Sequence, residues 1–348
     1  MRIKDIAKMA GVSPATVSNV INDSKYVSGE LKQRVMKVIK ENDFKVNKAA
    51  KSLKCRRSNT IGVVLQNISN AFFPEVLYGI EDVVQREGFE LLFCNTYYEE
   101  DREKYHIDAL RNQWVDGIIL DSCINLSEDS GYLAYLQGKE EERQIPVVVL
   151  EQNINVKNIR SIAIDNYKAA YEAAKHLLEV GRRKIVHITG PLKYQHCVER
   201  LEGYRKAIAD SGTPHDRIHV YEGDFRAQTG YEIARDIIVR GVDFDGIFAA
   251  NDQMAVGAIK AIREFGMSVP EDIAVVGFDN IYVSSMIEPS LTTVNVPRRR
   301  MGSAAALLLA EKIKNRNADT EVTVLPANLV IRQSTSLKGD KSWNLLGW

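Results

Sequence analysis

The chain has 348 residues, is 45% hydrophobic and is formally neutral, with 46 basic and 46 acidic side chains. That length suits two or three domains. The composition is that of a soluble globular protein, with no apolar run near the roughly 20 residues that cross a bilayer. The neutral total hides an asymmetry: residues 1–59 hold 14 Lys and Arg against five Asp and Glu, a net +9 that leaves −9 on residues 60–348. A basic head on an acidic body implies a polyanionic partner for the head. The charged, periodic first residues lack the apolar core of an export signal, so a cytoplasmic protein is expected. Its four scattered cysteines (Cys55, Cys94, Cys123, Cys197) then read as reduced thiols, without metal-ligand spacing.

Ile3, Ile6, Ala7 and Ala10 recur at helical spacing and Gly11 follows, the residue best able to close a helix in the left-handed conformation. Ser13 is a good N-cap and Pro14 fits the first helical position. Val17, Val20 and Ile21 give the second helix a buried stripe, leaving Pro14, Ala15, Ser18 and Asn19 on its other face. Two short helices joined at a glycine, with small polar groups outward on the second, describe a helix-turn-helix, so the head is expected to read DNA. A third helix follows over SGELKQRVMKVIKENDF, capped by Ser28, with Leu31, Val35, Val38 and Ile39 inward. Asn47–Cys55 has helical propensity but too few apolar groups to fold alone, either a basic linker or a hinge that folds on DNA.

From Thr60 the pattern changes. Apolar runs at 60–65, 89–94, 116–120 and 145–150, then at 161–165, 184–190, 246–250 and 273–279, alternate with amphipathic helices. This predicts two open parallel α/β units in succession. A strand over 291–296, a helix over 298–314 and a strand near 328–333 complete them, and the residues from Leu337 read as a loose tail.

IKDIAKMAGVSPATVSNVIN, AAKSLK, TIGVVLQNISNAFFPEV, VDGIIL, ITGP with ERLEGY, FAANDQMAVGA, VGFDN, PSLTTVNVP and LVIRQST appear in this order. From residue 2 to about 336 the chain thereby closely resembles the LacI/GalR family of bacterial transcription regulators. The resemblance implies a small all-α helix-turn-helix domain (1–46), a hinge helix and linker (47–59), and a two-lobed α/β body of periplasmic-binding-protein type (60–336) ahead of the tail (337–348). One lobe is expected to hold about 60–160 and 294–320, the other about 161–293 and 321–336. It further implies a cytoplasmic homodimer on a palindromic operator, controlled by a small molecule between the lobes, with no cofactor and no membrane. The dimer is expected around the helix at 71–87 and its counterparts in the second lobe.

By the same resemblance Pro14, Ala15 and Asn19 face base edges, Ser13, Thr16 and Ser18 lie nearer phosphates, and Leu53, flanked by Ala50 and Lys54, wedges into the minor groove. An Asn can pair bidentately with adenine, and the Ala15 methyl can meet a thymine methyl. For Asn19 the competing reading is a solvated surface residue.

In open α/β sheets ligands sit beyond the carboxyl ends of the strands. Five strand ends here finish in amides or carboxylates: Gln66-Asn67, Glu151-Gln152, Asp165-Asn166, Asn251-Asp252 and Asp279-Asn280. Some of these could merely cap helices or make turns. Ser69, Phe72 and Phe73 follow the first strand, and family resemblance adds Tyr194, His196, Arg200 and Phe225. Acids outnumbering one arginine, with aromatic faces, favour a neutral sugar as effector. The competing effectors are a nucleobase, a phosphosugar or a protein corepressor. A solute-binding receptor would need an export signal in place of the basic head, and no nucleophile elbow, phosphate-cradling loop or metal cluster suggests an enzyme.

Overall fold

The computed structural model describes residues 1–22, 25–44, 58–138, 144–154, 156, 159–212, 219–315, 322–340 and 342. It divides into two units, Met1–Ser58 and Asn59–Trp348.

In the first unit α1 (Ile3–Ala10), α2 (Pro14–Asn22) and α3 (Gly29–Glu41) enclose a small core of Ile6, Ala7, Ala10, Val17, Val20 and Val35. Gly11 ends α1 at φ 62°, and its N–H bonds back to the last turn. Ser13 caps α2 as expected, its Oγ accepting from the Thr16 N–H at 3.0 Å. Ser28 occupies the N-cap position of α3 without a side-chain bond; only its carbonyl serves, accepting from Lys32 N–H at 2.9 Å.

In the second unit the order is β1 (Thr60–Leu65), α4 (Phe73–Arg86), β2 (Glu90–Asn95), α5 (Glu100–Asn112), β3 (Gly117–Leu120), α6 (Ser130–Gln137), β4 (Val147–Leu150) and β5 (Ile159–Ile164). There follow α7 (Asn166–Glu179), β6 (Ile185–Thr189), α8 (Gln195–Asp210), β7 (His219–Glu222), α9 (Ala227–Val239), β8 (Gly246–Ala249), α10 (Asp252–Glu264) and β9 (Ala274–Asp279). The chain ends with α11 (Val283–Met286), β10 (Thr292–Asn295), α12 (Arg298–Lys314), β11 (Val322–Leu325) and β12 (Asn328–Val330).

Two six-stranded sheets result, ordered β11-β5-β4-β3-β1-β2 and β12-β10-β9-β8-β6-β7; within them β10 pairs antiparallel with β12 and every other pairing is parallel. Both faces of the first sheet are buried, Val63 and Ile119 in one apolar cluster and Val64 and Ile118 in another, which is why its strands read as unbroken apolar runs. Helices α4 and α12, α7 and α8, and α9 and α10 pack in backbone-close pairs at glycines. A Cβ on Gly302 would lie 1.9 Å from the Val76 carbonyl oxygen, and one on Gly257 1.9 Å from that of Ala227.

The sheets redraw the expected lobe boundaries. The expected second lobe begins at about 161 and resumes at about 321, but β5 (Ile159–Ile164) pairs with β4 and with β11 (Val322–Leu325) in the first sheet. Val294 and Asn295 were assigned to the first lobe, but pair with Phe278 and Asp279 in the second sheet. The chain therefore crosses between sheets after β5, after β10 and between β11 and β12. Hydrophobic rhythm marks a strand–helix unit without saying which sheet receives it. The tail is also not wholly loose: Asp340 N–H donates to the Ile331 carbonyl at 3.0 Å through a turn closed by Gly339 N–H on Ser336 O. Residues 343–348, with both tail tryptophans, lie outside the described residues.

Candidate effector site and DNA-reading face

The carboxyl ends of the strands of both sheets converge on a cleft lined by Gln66, Asn70, Phe72, Phe73, Tyr98, Asp121, Glu151, His196, Arg200, Phe225 and Asp279. Gln66, Asp121 and Glu151 follow β1, β3 and β4; Asp279 ends β9; His196 and Arg200 lie on α8. Tyr98, Glu151, Phe225 and Asp279 all have positive φ (65°, 63°, 69° and 105°). Such backbone costs of order 1–3 kcal/mol per residue and concentrates at functional sites.

Arg200 organises the centre. Its Nε donates to Asn166 Oδ1 at 2.9 Å, its Nη1 to the Ala250 carbonyl at 2.7 Å, and its guanidinium lies 3.8 Å from the Phe278 ring centroid. Its Nη2 stands 3.6 Å from Glu151 Oε2, both side chains being buried. This pair spans the cleft, because Glu151 belongs to the first sheet and Arg200 packs on the second. Arg298, at the start of α12, also bridges the two halves: it donates to Ala71 O at 3.1 Å and to Asn280 O at 2.7 Å.

Burial raises the carboxyls of Asp121, Glu151 and Asp279 above the ordinary carboxylate range. Arg200 opposes the rise at Glu151 and Asp279, whereas Asp121 is pushed further by Glu151 and Glu103. His196 is held well below its usual pKa by burial and by Arg200, and is neutral. It stacks on Phe225 (6.0 Å between centroids) and on Tyr194 (5.6 Å). Phe225 fits because residue 190 is glycine: a Cβ there would lie 2.4 Å from its ring.

Eight expected effector residues line the cleft: Gln66, Phe72, Phe73, Glu151, His196, Arg200, Phe225 and Asp279. Four do not. Asn67 turns back to accept from Ser69 N–H, and Tyr194 is buried, stacked on His196 and Phe225. Asn251 caps α10, accepting from Met254 N–H at 3.0 Å and donating to the Phe225 carbonyl at 2.9 Å. It supports the wall without forming it. Asp252 is fully buried, accepting from Thr293 Oγ1 and, at 2.8 Å, from Ile281 N–H. Its carboxylate is consumed in holding the turn after Asp279. Asn70, Tyr98 and Asp121 were not anticipated. Asp121 obeys the strand-end rule, following GIIL directly; Tyr98 enters through a left-handed turn that leaves no sequence signature.

In the first unit Ser13, Pro14 and Ala15 are exposed and Thr16, Ser18 and Asn19 half-buried, at the N-terminal end of α2. Ala50, Leu53 and Lys54 lie outside the described residues. Among the described residues no group of His, Cys, Asp and Glu could hold a metal, and no helix is long and apolar enough to cross a membrane. Cys94, Cys123 and Cys197 are free thiols.

A helix-turn-helix unit together with a two-sheet unit enclosing a cleft defines a ligand-controlled DNA-binding regulator. A model of the bacterial regulatory proteins of the lacI family matches residues 2–47, and one of the periplasmic binding protein-like domain matches residues 174–335. The chain is 36% identical over 343 residues to the ribose operon repressor of Halalkalibacterium halodurans, covering 98% of this chain and 99% of that one. It is also similar to the transcriptional regulator CelR–cellobiose complex (TM-score 0.71, 31% identity, 96% and 99% covered). The lac repressor dimer bound to operator and the anti-inducer ONPF matches at TM-score 0.83 and 26% identity, again with 96% and 99% covered. The chain belongs to the LacI family of bacterial transcriptional regulators, and it is not an enzyme.

Proposed function

We propose that this regulator is a cytoplasmic homodimeric repressor, that it binds a palindromic operator through the face of α2 carrying Ser13, Pro14, Ala15, Thr16, Ser18 and Asn19, and that a sugar in the cleft controls it. The observation that carries the sugar reading is the cleft's lining: Phe72, Phe73 and Phe225 offer apolar faces, while Asp121, Glu151, Asp279 and Gln66 surround them with hydrogen-bonding groups. Aromatic faces with acceptors at the edge complement a polyhydroxylated ring. Three acids against one arginine disfavour a phosphosugar. The relatives named for a ribose operon and bound to cellobiose support the same class.

The dimer reading draws on exposed apolar groups: Leu92 and Phe93 on edge strand β2, Tyr78 on α4, and Met286 on α11 are each more than a third exposed. An edge strand with apolar side chains outward is a pairing surface unless covered. The lac repressor was solved as a dimer on operator. The effector would act by binding the two lobe arrangements unequally, with Leu53, Ala50 and Lys54 of the hinge in the minor groove relaying the change. Gel shift of the intact protein on its own upstream DNA, with and without sugars, tests the whole reading. No binding at low salt would overturn it, and a shift insensitive to every sugar would remove the effector class.

A further inference from the structure

Among the described residues, two buried acceptor atoms on side chains that line the cleft have no hydrogen-bond partner. Asp121 Oδ2 and Glu151 Oε1 are buried without a hydrogen bond, on residues 2% and 7% exposed that line the cavity. The two arginines that bridge the cleft already have partners, one of them Glu151 itself. Arg200 spends Nε on Asn166, Nη1 on Ala250 O and Nη2 on the other oxygen of Glu151. Arg298 spends both terminal nitrogens on backbone carbonyls at Ala71 and Asn280. His196 is neutral. The charges acting most strongly on Asp121 are themselves negative, Glu151 in the cleft and Glu103 behind it. Glu103 is fully occupied by Ser122 Oγ, Tyr132 OH and Cys123 N–H, at 2.7 Å each.

A neutral sugar hydroxyl can donate to one of these oxygens but brings no positive charge, and the buried Asp121, beside Glu151 and Glu103, favours its protonated form unless a cation accompanies it. An ammonium has three donors and the opposite charge. The aromatic wall of Phe72, Phe73, Tyr98 and Phe225 adds faces that attract a cation. Resting on the reading above that this cleft is the effector site, we propose that the effector is a polyhydroxylated ring bearing a protonated nitrogen, an amino sugar or an iminosugar, whose ammonium sits between Asp121 and Glu151.

The test is isothermal calorimetry on the intact protein at pH 7 with matched probes: D-glucosamine, D-glucose and N-acetyl-D-glucosamine, D-galactosamine with D-galactose, 1-deoxynojirimycin, and D-glucose 6-phosphate. At least one cationic member should bind ten-fold or more tighter than its neutral partner, and acetylation should abolish the gain. In Asp121→Asn the ratio of cationic to neutral affinity should fall at least five-fold, whatever the change in neutral sugar affinity itself. Asp121→Ser serves if the amide variant misfolds, and the wild-type comparison stands without either. Neutral sugars binding as well as or better than the amines overturn this inference and leave the sugar reading standing. Binding of the phosphate ester alone, or of no probe, overturns both.

Discussion

Arg200 and Glu151, 49 positions apart in the sequence, meet as a buried ion pair across the cleft, Nη2 to Oε2 at 3.6 Å. The pair joins the first residue after β4 in the first sheet to α8, the helix packed on the second. Whatever enters between the sheets must be read against it.

Removing the arginine should do more harm than removing the acid. Arg200→Met leaves Glu151 and Asp279 buried without their cation, a change of the kind that costs about 3–5 kcal/mol. Glu151→Gln leaves an arginine still bonded to Asn166 and Ala250 O. Thermal denaturation should rank Arg200→Met far below Glu151→Gln, and both should lose effector response. Equal stability of the two variants would contradict the central role given to Arg200.

Gly190→Ala should block the site from behind. The added methyl would stand 2.4 Å from the Phe225 ring and 2.7 Å from Cys197 Sγ, forcing the ring towards the cleft. Overpacking of this sort costs about 1–3 kcal/mol, so the variant should fold. Its expected phenotype is operator binding at wild-type affinity with effector affinity reduced ten-fold or more, read by gel shift and calorimetry.

Stability should fall as pH rises from about 4 to 7. Burial pushes Asp252 from 3.8 up to about 7, so the folded state holds this proton more tightly than the unfolded chain. The stabilisation is complete below the unfolded value, lost progressively above it, and gone once pH passes about 7. The interval corresponds to roughly 4 kcal/mol at most. Asp121, Glu151 and Asp279, also raised, act in the same direction. Melting temperatures measured from pH 5 to 8 should decline, and Asp252→Asn should flatten the decline. An unchanged slope in that variant would refute the assignment.

On the DNA side, Asn19→Ala should weaken operator binding by about 1–3 kcal/mol and relax preference at one base pair without changing the salt slope. On the proposal that Leu53 wedges between base steps, Leu53→Ala should weaken binding to all operators. Gel shifts on operator variants at several salt concentrations separate the two effects. A reduced salt slope for Asn19→Ala would place that residue on phosphate instead.

Much of the site was legible because its residues obey a positional rule. Gln66, Glu151 and Asp279 stand where apolar runs stop, and the carboxyl ends of parallel strands face ligands. The same rule overreached at Asn251 and Asp252, for a polar residue at a strand end can equally serve a helix start or hold a turn. Which role prevails depends on where the neighbouring loop lies: Phe225 O beside Asn251, Thr293 and Ile281 beside Asp252. β7 and β11, short edge strands, and α11, a single turn, carried too few residues to show a period.

From the sequence alone came the class of the protein: a basic helix-turn-helix head, an acidic α/β body of two units, and the cap and turn residues Ser13, Pro14 and Gly11. These rest on local preferences and on periodicity, which act over a few residues and survive without knowledge of the fold. Only the tertiary structure decided which sheet receives β5, β10 and β11, that Arg200 faces Glu151, and that Asp121 joins the cleft with an unpaired oxygen. Those relationships depend on three crossings of the chain between sheets, and no local pattern encodes a contact between residues dozens of positions apart or more.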